Sequence, residues 1–121
     1  MKAAPGLSGR WRIDWMEEWD RDWLDMNGPA HLLFAEGDGG ELQFGTVYGE
    51  LDCRHSERDG QLLVEFSWSG NEELEEACGR GWAVMERPNR LSGRIFIHAG
   101  CESAFTAARS RASAKKKTQR R

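Results

Sequence analysis

The chain has 121 residues, which is the size of one domain rather than two. Hydrophobic residues make up 39% of it and charged residues 31%, a balance that can build a core and argues against wholesale disorder. No stretch approaches the roughly 20 apolar residues of a membrane-spanning helix, and residues 1–9 lack the apolar centre of a signal peptide. We therefore expect a cytoplasmic protein that makes no contact with a membrane.

The net charge of −3 conceals a division along the chain. Residues 1–108 hold 10 Lys and Arg and all 20 Asp and Glu, a balance of −10, whereas residues 109–121 hold seven Lys and Arg and no acid. The stretch from Arg109 to Arg121 also has no aromatic residue, so burial cannot offset the entropy of ordering it. We expect a disordered basic tail over residues 110–121. It is either solvated, folding back loosely on the acidic body, or it contacts nucleic acid or an acidic partner.

The first element is a strand over residues 10–16, because Trp11, Ile13 and Trp15 alternate with polar residues and share one face. Tryptophans also recur every four residues from Trp11 to Trp23, which is typical of a helical stripe. The strict alternation favours a strand first and a short helix over residues 17–26 after it. On that helix one side carries Trp19, Trp23 and Met26. Asn27-Gly28-Pro29 ends it.

Period-two alternation continues after this helix. Residues 30–36 form a second strand, and a glycine-rich turn over 37–40 follows. The next alternation runs from residue 41 to residue 56 and changes parity between Tyr48 and Leu51. One extra residue at Gly49, either a bulge or a sharp strand break, would produce this change.

The strongest hairpin signal is Asp59-Gly60, which suits a type I′ turn. The returning strand over residues 62–68 places Leu62, Val64, Phe66 and Trp68 on one face. Residues 69–79 interrupt the alternation, and we expect a short helix capped by Asn71 and closed by Gly79. Strands over 81–86, 91–98 and 104–109 complete the body.

About eight short strands without βαβ spacing predict sequential antiparallel neighbours. Closure into a barrel removes the exposed edges, and eight strands enclose just enough room for side chains or one small ligand. We therefore predict an all-β domain, a small antiparallel up-and-down barrel over residues 9–109. A flexible N-terminus over residues 1–8, a short helix between the first and second strands and the disordered basic tail complete the chain.

Gly9-Arg10-Trp11, at the start of the first strand, resembles the Gly-x-Trp motif of the lipocalin, avidin and fatty-acid-binding barrels, the calycin group. The resemblance implies that Trp11 packs under the barrel and that Arg109, at the end of the last strand, lies across it in a cation–π contact. The chain is shorter than the lipocalins, lacks their helix after the barrel, and lacks the biotin-contacting pattern of the avidins.

Residues 9–109 also resemble small bacterial proteins that carry no assigned function. The matching stretches lie at residues 44–54, 64–68, 79–83 and 93–98. This second resemblance implies no particular activity.

Metal binding is weakly indicated. Cys53 with His55, and His98 with Cys101, could supply four zinc ligands if their strands met. Structural zinc sites more often use Cys-x-x-Cys turns, and the sequence has none, so we expect no metal and no cofactor. The chain has three cysteines, Cys53, Cys78 and Cys101. Their odd number and wide spacing argue against a disulfide framework.

The sequence carries no Gly-x-Ser-x-Gly elbow and no phosphate-binding glycine loop. Carboxylates are dense over residues 14–25 and 72–76, and acids beside tryptophan are also found in glycoside hydrolases. A solvated acidic face that keeps the protein soluble is the simpler interpretation. We expect a protein that is not an enzyme.

Our leading hypothesis is a non-catalytic protein that holds a small ligand in a Trp-rich barrel. The predicted wall consists of Phe44, Tyr48, Phe66, Trp68 and Trp82, with residues 69–79 as a lid. The same side chains could instead pack into a filled core. Three alternatives remain: a protein-interaction module acting through its outer surface, a nucleic-acid accessory protein using its basic tail, and a carboxylate-dependent hydrolase.

Overall fold

A computed structural model describes residues 6–110 of the chain. Its eight strands are β1 (Gly9–Met16), β2 (His31–Phe34), β3 (Gly39–Phe44), β4 (Val47–Arg58), β5 (Gln61–Glu72), β6 (Glu75–Arg87), β7 (Arg90–Ile97) and β8 (Glu102–Arg109). Each pairs antiparallel with the next, and β8 pairs with β1, so the barrel is closed. One helix, α1 (Arg21–Leu24), lies between β1 and β2. The predicted all-β barrel is confirmed, while the predicted tail from residue 111 onward lies outside the described residues.

Hairpin turns alternate between the two ends of the barrel. The helix end carries residues 17–30 and the turns at 45–46, 73–74 and 98–101. The terminal end carries the start of β1, the end of β8 and the turns at 35–38, 59–60 and 88–89. In the described part of the chain, α1 is the only helix, and it is far too short to cross a membrane.

The predicted two-residue hairpin at Asp59-Gly60 is present, with Arg58 paired to Gln61. Both central residues have positive φ, 54° at Asp59 and 83° at Gly60, as a type I′ turn requires. The turn joins the two long strands β4 and β5 in an unbroken ladder of twelve residue pairs. Local turn chemistry therefore sets the register of this part of the barrel.

The expectation that Trp15 faces the interior with Trp11 and Ile13 is wrong. A β-bulge shifts the β1–β8 register between Ile13 and Trp15, so Met16 becomes the buried residue and Trp15 is 49% exposed. The carboxylate of Asp14 accepts hydrogen bonds from Thr106 Oγ1 at 2.6 Å and from the Arg90 guanidinium at 2.8 Å. These bonds hold Asp14 on the outer wall at the bulge.

The parity change predicted at Gly49 lies elsewhere. The single run over 41–56 is two strands, joined by a hairpin turn at Gly45 and Thr46 in which Phe44 pairs with Val47. β4 then continues through Gly49 without any shift of register. The Trp23 ring covers Gly45, whose φ is 59°, and an added Cβ there would collide with that ring. The turn falls at Gly45 because only glycine satisfies both constraints.

The helix predicted over residues 69–79 does not form. β5 continues to Glu72, β6 begins at Glu75, and the two pair directly across a turn in which Glu73 has φ 58°. A helix this short has little stability of its own in water. Continuing the β5–β6 ladder satisfies the same backbone groups, so pairing overrides the local capping signal, and the lid assigned to these residues is absent.

The helix end is closed by an aromatic stack. Residues 17–26 contain only the four-residue α1, whose N-cap Asp20 accepts from the Trp23 backbone N–H at 3.1 Å. The Trp19 and Trp23 rings stack with centroids 5.1 Å apart, and both lie against Phe44. Met26, expected on the same side, is 55% exposed because the chain turns away after α1.

The terminal end is closed by Trp11 and Arg109. Trp11 is fully buried, and its Nε1–H donates to the Leu7 carbonyl at 3.0 Å. The Arg109 guanidinium lies 4.3 Å from the centroid of the Trp11 ring and donates to the carbonyl of Ser8 at 2.8 Å and to that of Gly6. Leu7 is buried, so residues 6–8 belong to the barrel base and not to the flexible N-terminus that the sequence predicts over residues 1–8.

Removing the Trp11 side chain should destabilise the protein strongly, since it deletes the largest fully buried side chain at this end. We expect Trp11→Ala to lower the free energy of unfolding by about 3–5 kcal/mol in denaturant titration. The matched control is Trp15→Ala on the same strand, an exposed site where a change within about 0.5 kcal/mol is expected. An unchanged midpoint for Trp11→Ala would contradict this account of the base.

Candidate functional site

The centre of the barrel is filled by side chains of β5 that lie on glycines of the neighbouring strands. Trp68 covers Gly49 of β4 and Gly79 of β6, where an added Cβ would come within 2.6 Å and 2.8 Å of the indole. Phe66 lies on Gly81, where an added Cβ would be 2.5 Å from the ring. Atoms this close leave no space between ring and backbone.

The remaining interior positions continue this packing as one cluster of buried residues. Besides Phe66 and Trp68, it includes Trp11, Ile13, Leu32, Phe34, Leu42, Phe44, Cys53, Val64, Ala83, Leu91, Ile95, Phe105 and Ala107. The polar tip of Trp68 is also occupied, because its Nε1–H donates to the Phe96 carbonyl at 3.3 Å. The interior is thus a packed core with its one central indole N–H already bonded.

The five residues of the predicted ligand wall do not share a face. Phe44, Phe66 and Trp68 point inward, whereas Tyr48 and Trp82 lie on the outer wall. Tyr48 faces outward because the turn at residues 45–46 sets the parity of β4. Trp82 faces outward because the inward positions of β6 are the small residues under Phe66 and Trp68. The sequence signal that could have revealed this is the small–large alternation Gly79, Gly81, Ala83 against Arg80 and Trp82.

The residues singled out for zinc are also separated. Cys53 is buried in the core, and His55 lies exposed toward the terminal end, near Phe34. His98 and Cys101 lie in the turn at the helix end. Among residues 6–110, no three or more His, Cys, Asp or Glu side chains are grouped to hold a metal ion.

A groove on the outer face of β5 and β6 is built around Trp82. Leu63, Trp82 and Val84 form its apolar floor, and its volume is about 460 Å³. Leu63 and Val84 are directly cross-strand neighbours, and Trp82 is 38% exposed. The rim carries Arg58, Asp59, Gln61 and Glu65. We call this surface the Trp82 groove.

A second groove, of about 540 Å³, lies on the outer wall beside Trp15 and α1. Its lining is strongly acidic, with one arginine: Asp14, Trp15, Met16, Glu17, Glu18, Trp19, Asp20, Arg21 and Leu24. Arg21 is directed to the Asp14 carbonyl, to which it donates at 2.9 Å. We call this surface the Trp15 groove.

Asp14 in this second groove is held as a carboxylate. Burial alone would raise its pKa, but the hydrogen bond from Thr106 and the guanidinium of Arg90 outweigh burial and lower the pKa below its usual 3.8. A general acid needs the opposite shift. Asp14 therefore acts in the structure as an anchor for the bulge and not as a proton donor.

The three thiols occupy different environments. Cys53 is buried in the core, and burial raises the pKa of its thiol to about 11, with the nearby carboxylates of Asp52 and Asp38 adding to the effect. Cys78 and Cys101 are exposed and line a cavity of about 460 Å³ at the helix end, next to His98. Only the exposed pair is accessible to a reagent in the folded protein.

Comparison with known protein families, with curated proteins and with solved structures finds no match for this chain. The resemblances to the Gly-x-Trp barrels and to small bacterial proteins therefore stay predictions.

Thiol reactivity should separate the cysteines. With a disulfide reagent at pH 8, we expect Cys78 and Cys101 to react in the native protein and Cys53 to react only after unfolding, because a buried thiol with a pKa of about 11 is protonated and shielded. Cys53→Ser should leave the native count at two, and Cys78→Ser should lower it to one. Three thiols reacting rapidly in the native protein would contradict the burial of Cys53.

Asp14→Ala should lower stability in a pH-dependent way. The pKa of Asp14 is lower in the folded protein than in the unfolded chain. Asp14 therefore contributes fully to the free energy of unfolding at pH values above its unfolded-state pKa, and this contribution is lost as the pH falls through its folded-state pKa. We expect a loss of about 1 kcal/mol at pH 7, which disappears once the pH falls below the folded-state pKa of Asp14. Glu18→Ala is the control, and a loss that stays constant with pH would contradict this role.

Proposed function

We propose that the protein is a non-catalytic interaction module that binds a segment of another protein in the Trp82 groove. The observation that carries this proposal is the placement of Trp82, exposed at the centre of an apolar groove with a charged rim, in a barrel whose interior is filled. An apolar centre with a polar rim is the ordinary anatomy of a protein interface, and exposed tryptophans are frequent energetic centres of interfaces.

The groove defines the chemistry of its occupant. Leu63 and Val84 offer a floor for one apolar side chain, with the Trp82 ring beside them. On the rim, the side chains of Arg58, Asp59 and Glu65 make no hydrogen bond or ion pair within the described range 6–110, and the acids outnumber the base. The partner segment suited to this surface carries an apolar anchor with a basic residue next to it.

Backbone pairing is not available as the binding mode at the Trp82 groove. Its floor residues Leu63, Trp82 and Val84 are paired to a neighbouring strand on both sides, so the sheet offers no edge there to which a partner strand could be added. Binding at this groove must therefore use side chains on the outer wall. Trp82 is the one large apolar side chain exposed on strands β4 to β6, since the exposed Leu74 lies in the turn between β5 and β6.

The other functions have less support. A ligand in the barrel would have to displace Trp68 from Gly49 and Gly79. A nucleic-acid surface would need free basic groups near the tail, and two of the arginines there are already engaged, Arg90 with Asp14 and Arg109 with Trp11. A carboxylate hydrolase would need a proton-donating acid, and Asp14 has a lowered pKa.

Selection from a random peptide display library against the full-length protein tests the proposal without a known partner. We expect enriched peptides to combine an aromatic or aliphatic residue with a neighbouring Lys or Arg. Trp82→Ala should weaken their binding by about 2 kcal/mol, roughly 30-fold, because it removes the centre of the interface. Isothermal titration calorimetry measures this difference.

Trp15→Ala is the matched control, since it removes the other exposed tryptophan and should leave affinity unchanged. Circular dichroism confirms that both variants remain folded. Enriched peptides that bind Trp82→Ala as well as the wild type, or the absence of any enrichment, would overturn the proposal.

A further inference from the structure

The Trp15 groove is an aromatic surface that the proposed function does not use. Trp15 is 49% exposed, and Trp19 and Leu24 extend the apolar lining. Around them stand the carboxylates of Glu17, Glu18 and Asp20, while the lining arginine, Arg21, donates to a backbone carbonyl. Glu17 lies 3.6 Å from the Arg94 guanidinium, whereas Glu18 and Asp20 form no ion pair among residues 6–110. The surface thus combines an exposed indole with an excess of negative charge, a combination that suits a basic chain segment.

The chain leaves the barrel close to this groove. β8 ends at Arg109, which pairs with Trp11, and the Ser110 backbone N–H donates to the Arg10 carbonyl at 2.9 Å. Trp15 pairs with Thr106 on the same β1–β8 ladder. At about 3.3 Å per residue, four positions along β1 separate the exit point from Trp15 by about 13 Å.

The segment that follows has the charge and the length to cover that distance. Residues 111–121 contain six Lys and Arg and no Asp or Glu. Eleven extended residues span at most about 36–40 Å, more than twice the separation. Because the segment is tethered beside the groove, its effective concentration there is in the millimolar range, which favours contacts that would be weak between separate molecules.

We propose that the Trp15 groove is the docking site of the chain's own C-terminal segment, residues 111–121. Basic side chains of the segment pair with Glu17, Glu18 and Asp20, and one of them lies over the exposed face of Trp15. This contact is independent of the Trp82 groove, which lies on β5 and β6 on another part of the wall.

Paramagnetic relaxation in the full-length chain tests the proposal. A nitroxide is attached to Lys116→Cys in a background carrying Cys78→Ser and Cys101→Ser, so that buried Cys53 is the only other thiol. The six tryptophan indole N–H signals are then recorded by nuclear magnetic resonance. We expect the Trp15 signal to lose most of its intensity relative to the reduced label, while the Trp82 signal keeps its intensity.

Two further measurements test whether the docking is electrostatic. In about 1 M salt the Debye length falls to about 3 Å, so the loss at Trp15 should largely disappear. Glu17→Gln with Glu18→Gln should reduce the loss, whereas Glu65→Gln on the Trp82 groove should not change it. A loss at Trp15 that persists unchanged in salt and in the Glu17→Gln, Glu18→Gln variant would contradict the electrostatic docking.

A final arm identifies the occupant. Isotope-labelled chain without nitroxide is mixed with unlabelled chain carrying it, and we expect no loss of the Trp15 signal in this mixture. A loss in the mixture would show that the segment docks on a second copy, which would overturn docking within one molecule. Equal intensity of all six indole signals in the spin-labelled chain would overturn the proposal outright.

Discussion

The contact of Trp68 with the backbone of both neighbouring strands is the constraint on which the rest of the barrel depends. The indole spans from Gly49 of β4 to Gly79 of β6, so neither position can carry a side chain. Phe66 repeats the arrangement one step along at Gly81, and the inward positions of β6 from Ala77 to Ala83 are all glycine or alanine. Because Phe66 and Trp68 fill the space above these positions, the large side chains between them, Arg80 and Trp82, face outward. Trp82 is exposed because the rings of Phe66 and Trp68 already occupy the interior beside β6.

Different tryptophans close the two ends of the barrel. Trp11 under Arg109 closes the terminal end, and the Trp19–Trp23 stack on Phe44 closes the helix end. The Arg109 guanidinium is partly desolvated in this position, and burial lowers its pKa, yet the carbonyls of Gly6 and Ser8 accept its hydrogen bonds. Four of the six rings lie in the core or at the ends, so Trp15 and Trp82 are the two that remain exposed on the outer wall of the barrel.

Period-two alternation predicted the number of strands and their order, and the Asp-Gly pair located one hairpin. The absolute parity of each strand was harder to predict, because a shift of one residue moves every later side chain to the other face. The bulge at Asp14 moved Trp15 outward, and the turn at residues 45–46 moved Tyr48 outward. Both shifts depend on contacts that are distant in sequence, from Thr106 and Arg90 to Asp14 and from Trp23 to Gly45. The Trp15 groove was therefore beyond sequence reasoning, because a contact distant in sequence decides the direction of its exposed indole. The outward direction of Trp82 could have been predicted from the alternation of small and large residues along β6.

Closure of the barrel also explains why the acidic part of the chain lies near the point where the basic segment begins. The acid-rich residues 14–25 begin in the last residues of β1, and the basic residues 111–121 come after β8, almost a hundred residues later. In an open sheet these first and last strands would lie at opposite edges. Because β8 pairs with β1, the exit of the chain is fixed beside Arg10, on the strand that carries Trp15. The same pairing that removes the edges of the sheet therefore places opposite charges within reach of each other, and a substitution that opened the β1–β8 ladder would separate them.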